Sequence, residues 1–286
     1  MTNTFSLELE IAKDLARRAG QCILEFRLGK DTLQIQEKSN NGLFISPVTA
    51  ADLKSNEIIC SGLQNTFPEY GILSEEAVAS NSHEKWWAKK YAWIIDPLDG
   101  TEDFIRGGND FGVHIGLTEE GVPVLGVNYY PATDIMYWAV KGEGAYKQSR
   151  HKPAERIFLH SSGDDPILSL RSKSDKMTKV IYELLLQKSI SDEEFNLSCK
   201  YIGSAGLRLC AIAEGNYNLY VTRATRGGLW DFLSGDVILK EAGGFISDWQ
   251  GHSIDYRNKN AQLIHGVVAC GNHTLYKRLI SLLATL

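Results

Sequence analysis

Nothing in the chain ties it to a membrane, a charged polymer or an oxidising compartment. Its 286 residues contain no run approaching the ~20 apolar residues of a membrane span. There is no block of Lys and Arg, and the formal net charge is −5. A nucleic-acid polymer is therefore not expected as a partner. Met1 to Phe26 lacks a basic segment followed by an apolar core, so no secretory signal is expected. The five cysteines (Cys22, Cys60, Cys199, Cys210 and Cys270) are odd in number, and none pair at CxxC spacing. Reduced thiols, mostly in the core of a cytoplasmic protein, follow from that pattern, and a structural zinc site does not. The phosphate-loop pattern GxxxxGK[ST] is missing, and Ser204 in Gly-Ser-Ala-Gly lacks the GxSxG frame of a nucleophile elbow. P-loop ATP chemistry and covalent serine chemistry are set aside.

What is present is an ordinary globular composition, 43% hydrophobic and 23% charged, long enough for one large domain or two medium ones. Leu7, Ile11, Leu15, Ala19, Cys22, Ile23 and Phe26 recur at helical spacing, with Gly29 as a stop. A second helix is predicted from Thr49 to about Phe67, opened by Thr49 with Asp52 as a capping-box partner. Strands are predicted at Tyr91–Ile95, Phe111–Leu117 (half-buried, by its alternation), Pro123–Tyr130 and Ile135–Val140. The polar stretch Gln148–Glu155 suggests a boundary between an N-terminal α+β subdomain, 1–150, and a C-terminal α/β subdomain, 151–286. In the second half, strands at Pro166–Arg171, Asn218–Thr222, Gly244–Trp249 and Gly266–Cys270 are predicted. They mostly alternate with helices at Asp175–Lys188, Ser204–Glu214, Asp231–Ala242 and His273–Leu283, which points to layered α/β structure.

Acidic residues in three separated stretches carry the chemistry: Glu75 and Glu76, Asp96 and Asp99, and Asp231. The middle pair lies in Trp-Ile-Ile-Asp-Pro-Leu-Asp-Gly-Thr, Trp93 to Thr101, where an apolar run ends in two carboxylates and a turn. Gly100 permits close backbone approach to a ligand. Thr101 adds a hydroxyl, and a helical turn through Phe104 would offer anion-binding N–H groups. Each acid also has an ordinary structural explanation. Asp96 and Asp99 could be solvated turn residues, Glu75 and Glu76 the acidic start of a helix, and Asp231 an N-cap. His114 reads as a core residue. Jointly, acids that end strands or open helices suit a pair of hard divalent cations, a recurring arrangement for phosphoryl chemistry.

With these residues in place, the chain resembles the inositol monophosphatase superfamily over nearly its whole length. Trp93–Thr101 with Phe104 is similar to that family's W-[IV]-[IV]-D-P-[IL]-D-G-T-x-x-F. Leu73–Glu76, Pro47–Asp52, and Trp230-Asp231 followed by Glu241-Ala242-Gly243-Gly244 match further motifs in order and spacing. The resemblance implies an αβαβα five-layer sandwich and Mg²⁺-dependent, usually lithium-sensitive, phosphomonoester hydrolysis with two or three ions. It implies that Glu75, Asp96 and the Leu98 carbonyl hold one ion, and that Asp96, Asp99 and Asp231 hold a second. Thr101 with Glu75 would orient the attacking water, and Asp52 would steady that water or a third ion. Gly100 and Thr101 N–H groups would hold the phosphate. A homodimer is expected only from the resemblance. Ser46 departs from the family's usual Asp, and Asn218, where Asp is common, reads as structural.

The substrate is expected to be a small phosphate ester. Inositol phosphatases typically carry Glu after the Tyr of the strand preceding Trp-Asp, whereas here Tyr220 is followed by Val221 and Thr222. The longer loop to Trp230 and Gly203-Ser204-Ala205-Gly206-Leu207-Arg208 are similar to the 3'(2'),5'-bisphosphate nucleotidases. Ser204, Arg208, Arg223 and Arg226 are the candidate contacts, since guanidinium groups match phosphate geometry. Glu102 stands where those nucleotidases usually have Lys. Inositol 1-phosphate is the alternative substrate. A catalytically silent ligand-binding protein is the alternative of another class, and it would predict loss of a ligand or of Thr101, neither of which has occurred.

Overall fold

The computed structural model describes residues 4–29, 35–40, 44–76, 85–159, 167–170, 176–222, 227–263 and 265–285. Helices α1 (Ser6–Leu28) and α2 (Ala50–Thr66) form one outer layer. A two-stranded ribbon, β1 (Gln36–Asn40) and β2 (Phe44–Val48), lies between them in sequence. Next come β3 (Gly71–Ser74), β4 (Tyr91–Asp99), β5 (Gly112–Glu119), β6 (Val122–Tyr130), β7 (Ile135–Val140), β8 (Gly144–Ser149) and β9 (Glu155–Ile157). They form a seven-stranded sheet in sequential order, antiparallel except for β3 with β4. A short helix, α3 (Thr101–Ile105), follows β4.

The second half builds a five-stranded sheet from β10 (Leu168–Leu170), β11 (Cys199–Tyr201), β12 (Leu219–Thr222), β13 (Phe245–Ser247) and β14 (Val267–Cys270). Their spatial order is β11-β10-β12-β14-β13. Its helices are α4 (Lys176–Leu186), α5 (Asp192–Ser198), α6 (Ala205–Ala213), α7 (Leu233–Glu241) and α8 (His273–Leu283). Among the described residues no helix is long and apolar enough to cross a membrane.

Strand periodicity sorts the side chains into three cores. Trp93 and Ile95 of β4 face Leu15, Ile23, Ile59 and Leu63 of α1 and α2. Ala92 and Ile94, on the other face, join Leu209, Leu233 and Val237 of α6 and α7, with Tyr220 and Ala269 closing that core from the second sheet. Leu219, Val221 and Val268 face Ile181 of α4 and Leu279 of α8. The layers therefore run helices, sheet, helices, sheet, helices: the αβαβα sandwich.

The central helices change one expectation. β5 is buried on both faces rather than half-buried, because α7 covers the face that a two-layer arrangement would leave wet. The approach is close. A Cβ on Gly126 would lie 2.2 Å from the Ser234 carbonyl oxygen. Helices α1, α2 and α8 closely match their predicted spans, and Thr49 and Asp52 form the expected capping box. β8 and β9 flank the polar stretch at 148–155, and both belong to the first sheet. β1, β2, β8, β9, β11 and α5 are not among the predicted elements; none exceeds seven residues, too short for a repeating pattern to stand out. Asn218 is structural, since its Oδ1 accepts from Ile167 N at 2.7 Å and ties the edge of β10 to β12. Parts of the predicted strand at Pro166–Arg171 and helix at Asp175–Lys188 lie outside the described residues.

Gly126→Ala should lower stability by about 1–3 kcal/mol, because a methyl group there must push α7 off the sheet. Urea unfolding at equilibrium measures this.

Candidate active site

Asp96 and Asp99 are three residues apart, so a regular strand would point them to opposite faces. The pairing of β4 with β5 breaks between them: Asp96 is opposite His114, and Asp99 is opposite Gly112. Three steps on one strand against two on the other is a β-bulge, and the extra residue returns both carboxylates to one side. Pro97 sits in the bulge, where a missing N–H does least harm. Asp96 thus lies within the strand rather than in a turn after it. Leu98 N–H donates to Asp96 Oδ1 at 3.0 Å. Gly100 then turns the chain into α3 with φ +85°, and a Cβ there would lie 2.4 Å from the Asp110 carbonyl oxygen.

Asp231 arrives from the other half. It does not cap α7. It closes a separate 3-10 turn, Leu229–Asp231, where its Oδ2 accepts from Gly228 N–H at 2.6 Å. Asp96, Asp99 and Asp231 each place a carboxylate oxygen within 4.8 Å of the others. Glu75 follows β3, the parallel neighbour of β4, and lines the same cleft as this trio, Leu98, Gly100 and Thr101. Asp96 and Asp99 are 1% and 7% exposed, so water screens them poorly. Two such charges ~4 Å apart repel by roughly 4 kcal/mol at an effective dielectric near 20. This all-oxygen donor set fits Mg²⁺ and not a softer metal.

Asp52 sits behind Thr101. Its Oδ2 accepts from Thr49 N and Thr49 Oγ1 at 2.7 and 2.6 Å, while its Oδ1 lies 3.1 Å from Thr101 Oγ1. Thr101 Oγ1 is also 3.0 Å from the Leu98 carbonyl. The capping-box residue of α2 is therefore also the group that orients the Thr101 hydroxyl.

The α6 entrance reaches Asp99. Ser204 Oγ donates to Asp99 Oδ2 at 2.6 Å and accepts from Leu207 N–H at 3.0 Å, and Gly206 N–H donates to the same Oδ2 at 3.1 Å. The single Ser204 proton is thus engaged by a carboxylate. Arg208, one turn on, lines the cleft yet is only 2% exposed. It donates to Tyr220 OH at 3.1 Å and to the carbonyls of Ile202 and Gly203, while its Nε has no hydrogen-bond partner. Glu102 lies at the rim and pairs with Arg106 at 3.4 Å. Arg223 and Arg226 lie outside the described residues.

Two groups had no warning in the linear pattern. His114 is fully buried, with Nε2 3.5 Å from Asp99 Oδ2 and 3.3 Å from Tyr130 OH. Burial holds its pKa below the usual histidine range, against the pull of Asp99 and Glu75, so the ring is neutral. Asp110 accepts from Gly203 N–H at 3.3 Å, and its N–H donates to Asp103 Oδ2 at 2.8 Å. Burial, with the charge of Asp103 adding to it, raises the Asp110 carboxyl. Only strand register could have flagged His114, and only the contact between the loops that precede β5 and α6 could have flagged Asp110.

The layered fold and the carboxylate cluster at the strand ends define a metal-dependent phosphatase. Residues 6–285 match the family model described as the inositol monophosphatase family, and the chain belongs to that family of phosphoric monoester hydrolases. It is 33% identical to the 3'(2'),5'-bisphosphate nucleotidase CysQ of Salmonella typhimurium over 264 residues, 90% of this chain and 97% of that protein. It is 30% identical to the inositol-1-monophosphatase of Bacillus subtilis over 279 residues, 97% and 96% of the two chains. Among solved structures, the extragenic suppressor protein suhB of Bartonella henselae superposes with a TM-score of 0.75 at 26% identity, covering 97% and 98% of the two chains.

Mg²⁺ at about 100 times its dissociation constant should stabilise the EDTA-stripped protein by about 2.7 kcal/mol, read as a rise in melting temperature. Asp99→Asn should stay folded and lose most of that rise, together with nearly all activity. A full rise in this variant would remove Asp99 from the metal site.

Proposed function

We propose that the protein removes a phosphate from a 3'(2'),5'-bisphosphate nucleotide, converting 3'-phosphoadenosine 5'-phosphate to AMP. The observation that carries this reading is the cleft wall next to the acids. Tyr220 and Thr222 line it with no carboxylate beyond the tyrosine to grip sugar hydroxyls, and the buried guanidinium of Arg208 stands beside them. A guanidinium with an unengaged Nε suits a second phosphate. The similarity to CysQ nucleotidases supports the same substrate class. Inositol 1-phosphate is the second reading, favoured by the Bacillus subtilis relative and by Glu102 at the rim.

Glu75, Asp96 and the Leu98 carbonyl would hold one ion, and Asp96, Asp99 and Asp231 a second. Bound Mg²⁺ neutralises phosphate charge and makes the attacking water more acidic. The chain's own residues do the positioning. Asp52 fixes the Thr101 hydroxyl, which together with Glu75 accepts from the attacking water. The first N–H groups of α3 have no helical acceptor, so those of Gly100 and Thr101 receive the phosphate oxygens.

Phosphate release from 3'-phosphoadenosine 5'-phosphate should exceed that from inositol 1-phosphate and require Mg²⁺. The opposite preference would select the second reading, and no metal-dependent release from any phosphomonoester would exclude both. Thr101→Ala should lower kcat by about 10²–10⁴, with KM changing far less.

A further inference from the structure

We propose that Ser204 and His114 are positioning residues for Asp99, gripping one carboxylate oxygen so that the other is presented to the metal. The inference rests on Asp99 being a metal ligand, as proposed above.

Asp99 Oδ2 is met from two elements at once. Ser204 Oγ, at 2.6 Å, and Gly206 N–H, at 3.1 Å, come from the entrance of α6, and His114 Nε2, at 3.5 Å, comes from β5. With that oxygen enclosed, Oδ1 is the atom left to ligate. The Ser204 contact has the short length of a hydroxyl bonded to a carboxylate. A hydroxyl carries one proton, and Ser204 gives it to Asp99 while its lone pair caps α6 at Leu207 N–H. Ser204 therefore acts on the metal ligand and not on the substrate.

The His114 contact is longer, and its sign depends on the tautomer. If Nδ1 carried the proton, the Nε2 lone pair would face the carboxylate, with the Tyr130 hydroxyl as its donor, and a buried N–H would have no acceptor, since Nδ1 has no hydrogen-bond partner. If Nε2 carries the proton, the N–H faces both Asp99 Oδ2 and Tyr130 OH. Electrostatics selects the second tautomer. Space at this point is tight as well: a Cβ on Gly206 would lie 2.4 Å from His114 Cε1. The ring and the α6 entrance thus limit each other's movement and the rotation of Asp99.

The device links the halves of the molecule. Asp99 belongs to β4 of the first sheet, Ser204 to the helix layer that carries Arg208. Tightening at Asp99 and placement of the substrate wall therefore share one helix turn.

The test is Mn²⁺ calorimetry on the full chain, with circular dichroism to confirm folding and Asp99→Asn as control. Ser204→Ala is expected to bind Mn²⁺ at least about tenfold more weakly, the usual loss when a ligand-orienting group is removed. At saturating metal its KM for the phosphate ester should stay within about twofold of wild type. Wild-type Mn²⁺ affinity in Ser204→Ala, or a raised KM with unchanged affinity, would overturn the proposal in favour of a structural or substrate-binding Ser204. Unchanged Mn²⁺ binding in Asp99→Asn would instead overturn the metal assignment beneath it. Nitrogen-15 NMR of the unaltered protein tests His114 without relying on a variant that must fold. A proton on Nε2 is expected, and a proton on Nδ1 would remove His114 from the device.

Discussion

Repulsion among closely spaced carboxylates is the constraint on which the rest of this structure depends. Asp96, Asp99 and Asp231 each hold a carboxylate oxygen within 4.8 Å of the others, with Asp96 and Asp99 buried. Left to relax, such like charges would separate. They stay together because each is fixed by a backbone N–H: Asp96 by that of Leu98, Asp99 by that of Gly206 from the entrance of α6, and Asp231 by that of Gly228. The fold therefore holds the acids in place by itself, and a divalent cation relieves the charge that remains. The repulsion stored without metal is recovered as metal affinity.

That arrangement explains why five layers are useful. The bulge that gathers Asp96 and Asp99 is at the end of a strand buried on both faces, where β4 cannot yield. The middle helices make contact with both sheets, so Ser204 and Arg208 can reach the acids of one half and the tyrosine wall of the other. Gly116 and Gly126 let α7 settle directly on the first sheet, and a side chain at either would collide with it. Catalytic geometry and core packing are thus the same contacts seen from two sides.

The positions where reading along the chain succeeded share a property: the information was local. Gly29 ends α1, and Thr49 and Asp52 cap α2. The positions where it fell short depend on partners far away. β5 carries the alternation of a half-buried strand and is nevertheless covered on both faces, because residues beyond 200 supply the second cover. Asp231 carries the signature of a helix cap and instead closes a turn before the helix begins. His114 reads as filling, and only the β4–β5 register brings it to Asp99.

The sequence by itself determined the chemistry of the site. It supplied hard oxygen donors at the ends of apolar runs, a glycine able to adopt positive φ, and a threonine hydroxyl directly after it. These requirements act within a few residues and leave their mark in residue type and spacing. Tertiary structure alone decided which carboxylates converge and that the Ser204 proton is already engaged. Those outcomes turn on ångström-scale contacts between residues up to about 130 positions apart, as in the pair Asp99 and Asp231. Distances of that kind are set by how layers pack, and packing has no signature in any single stretch of chain.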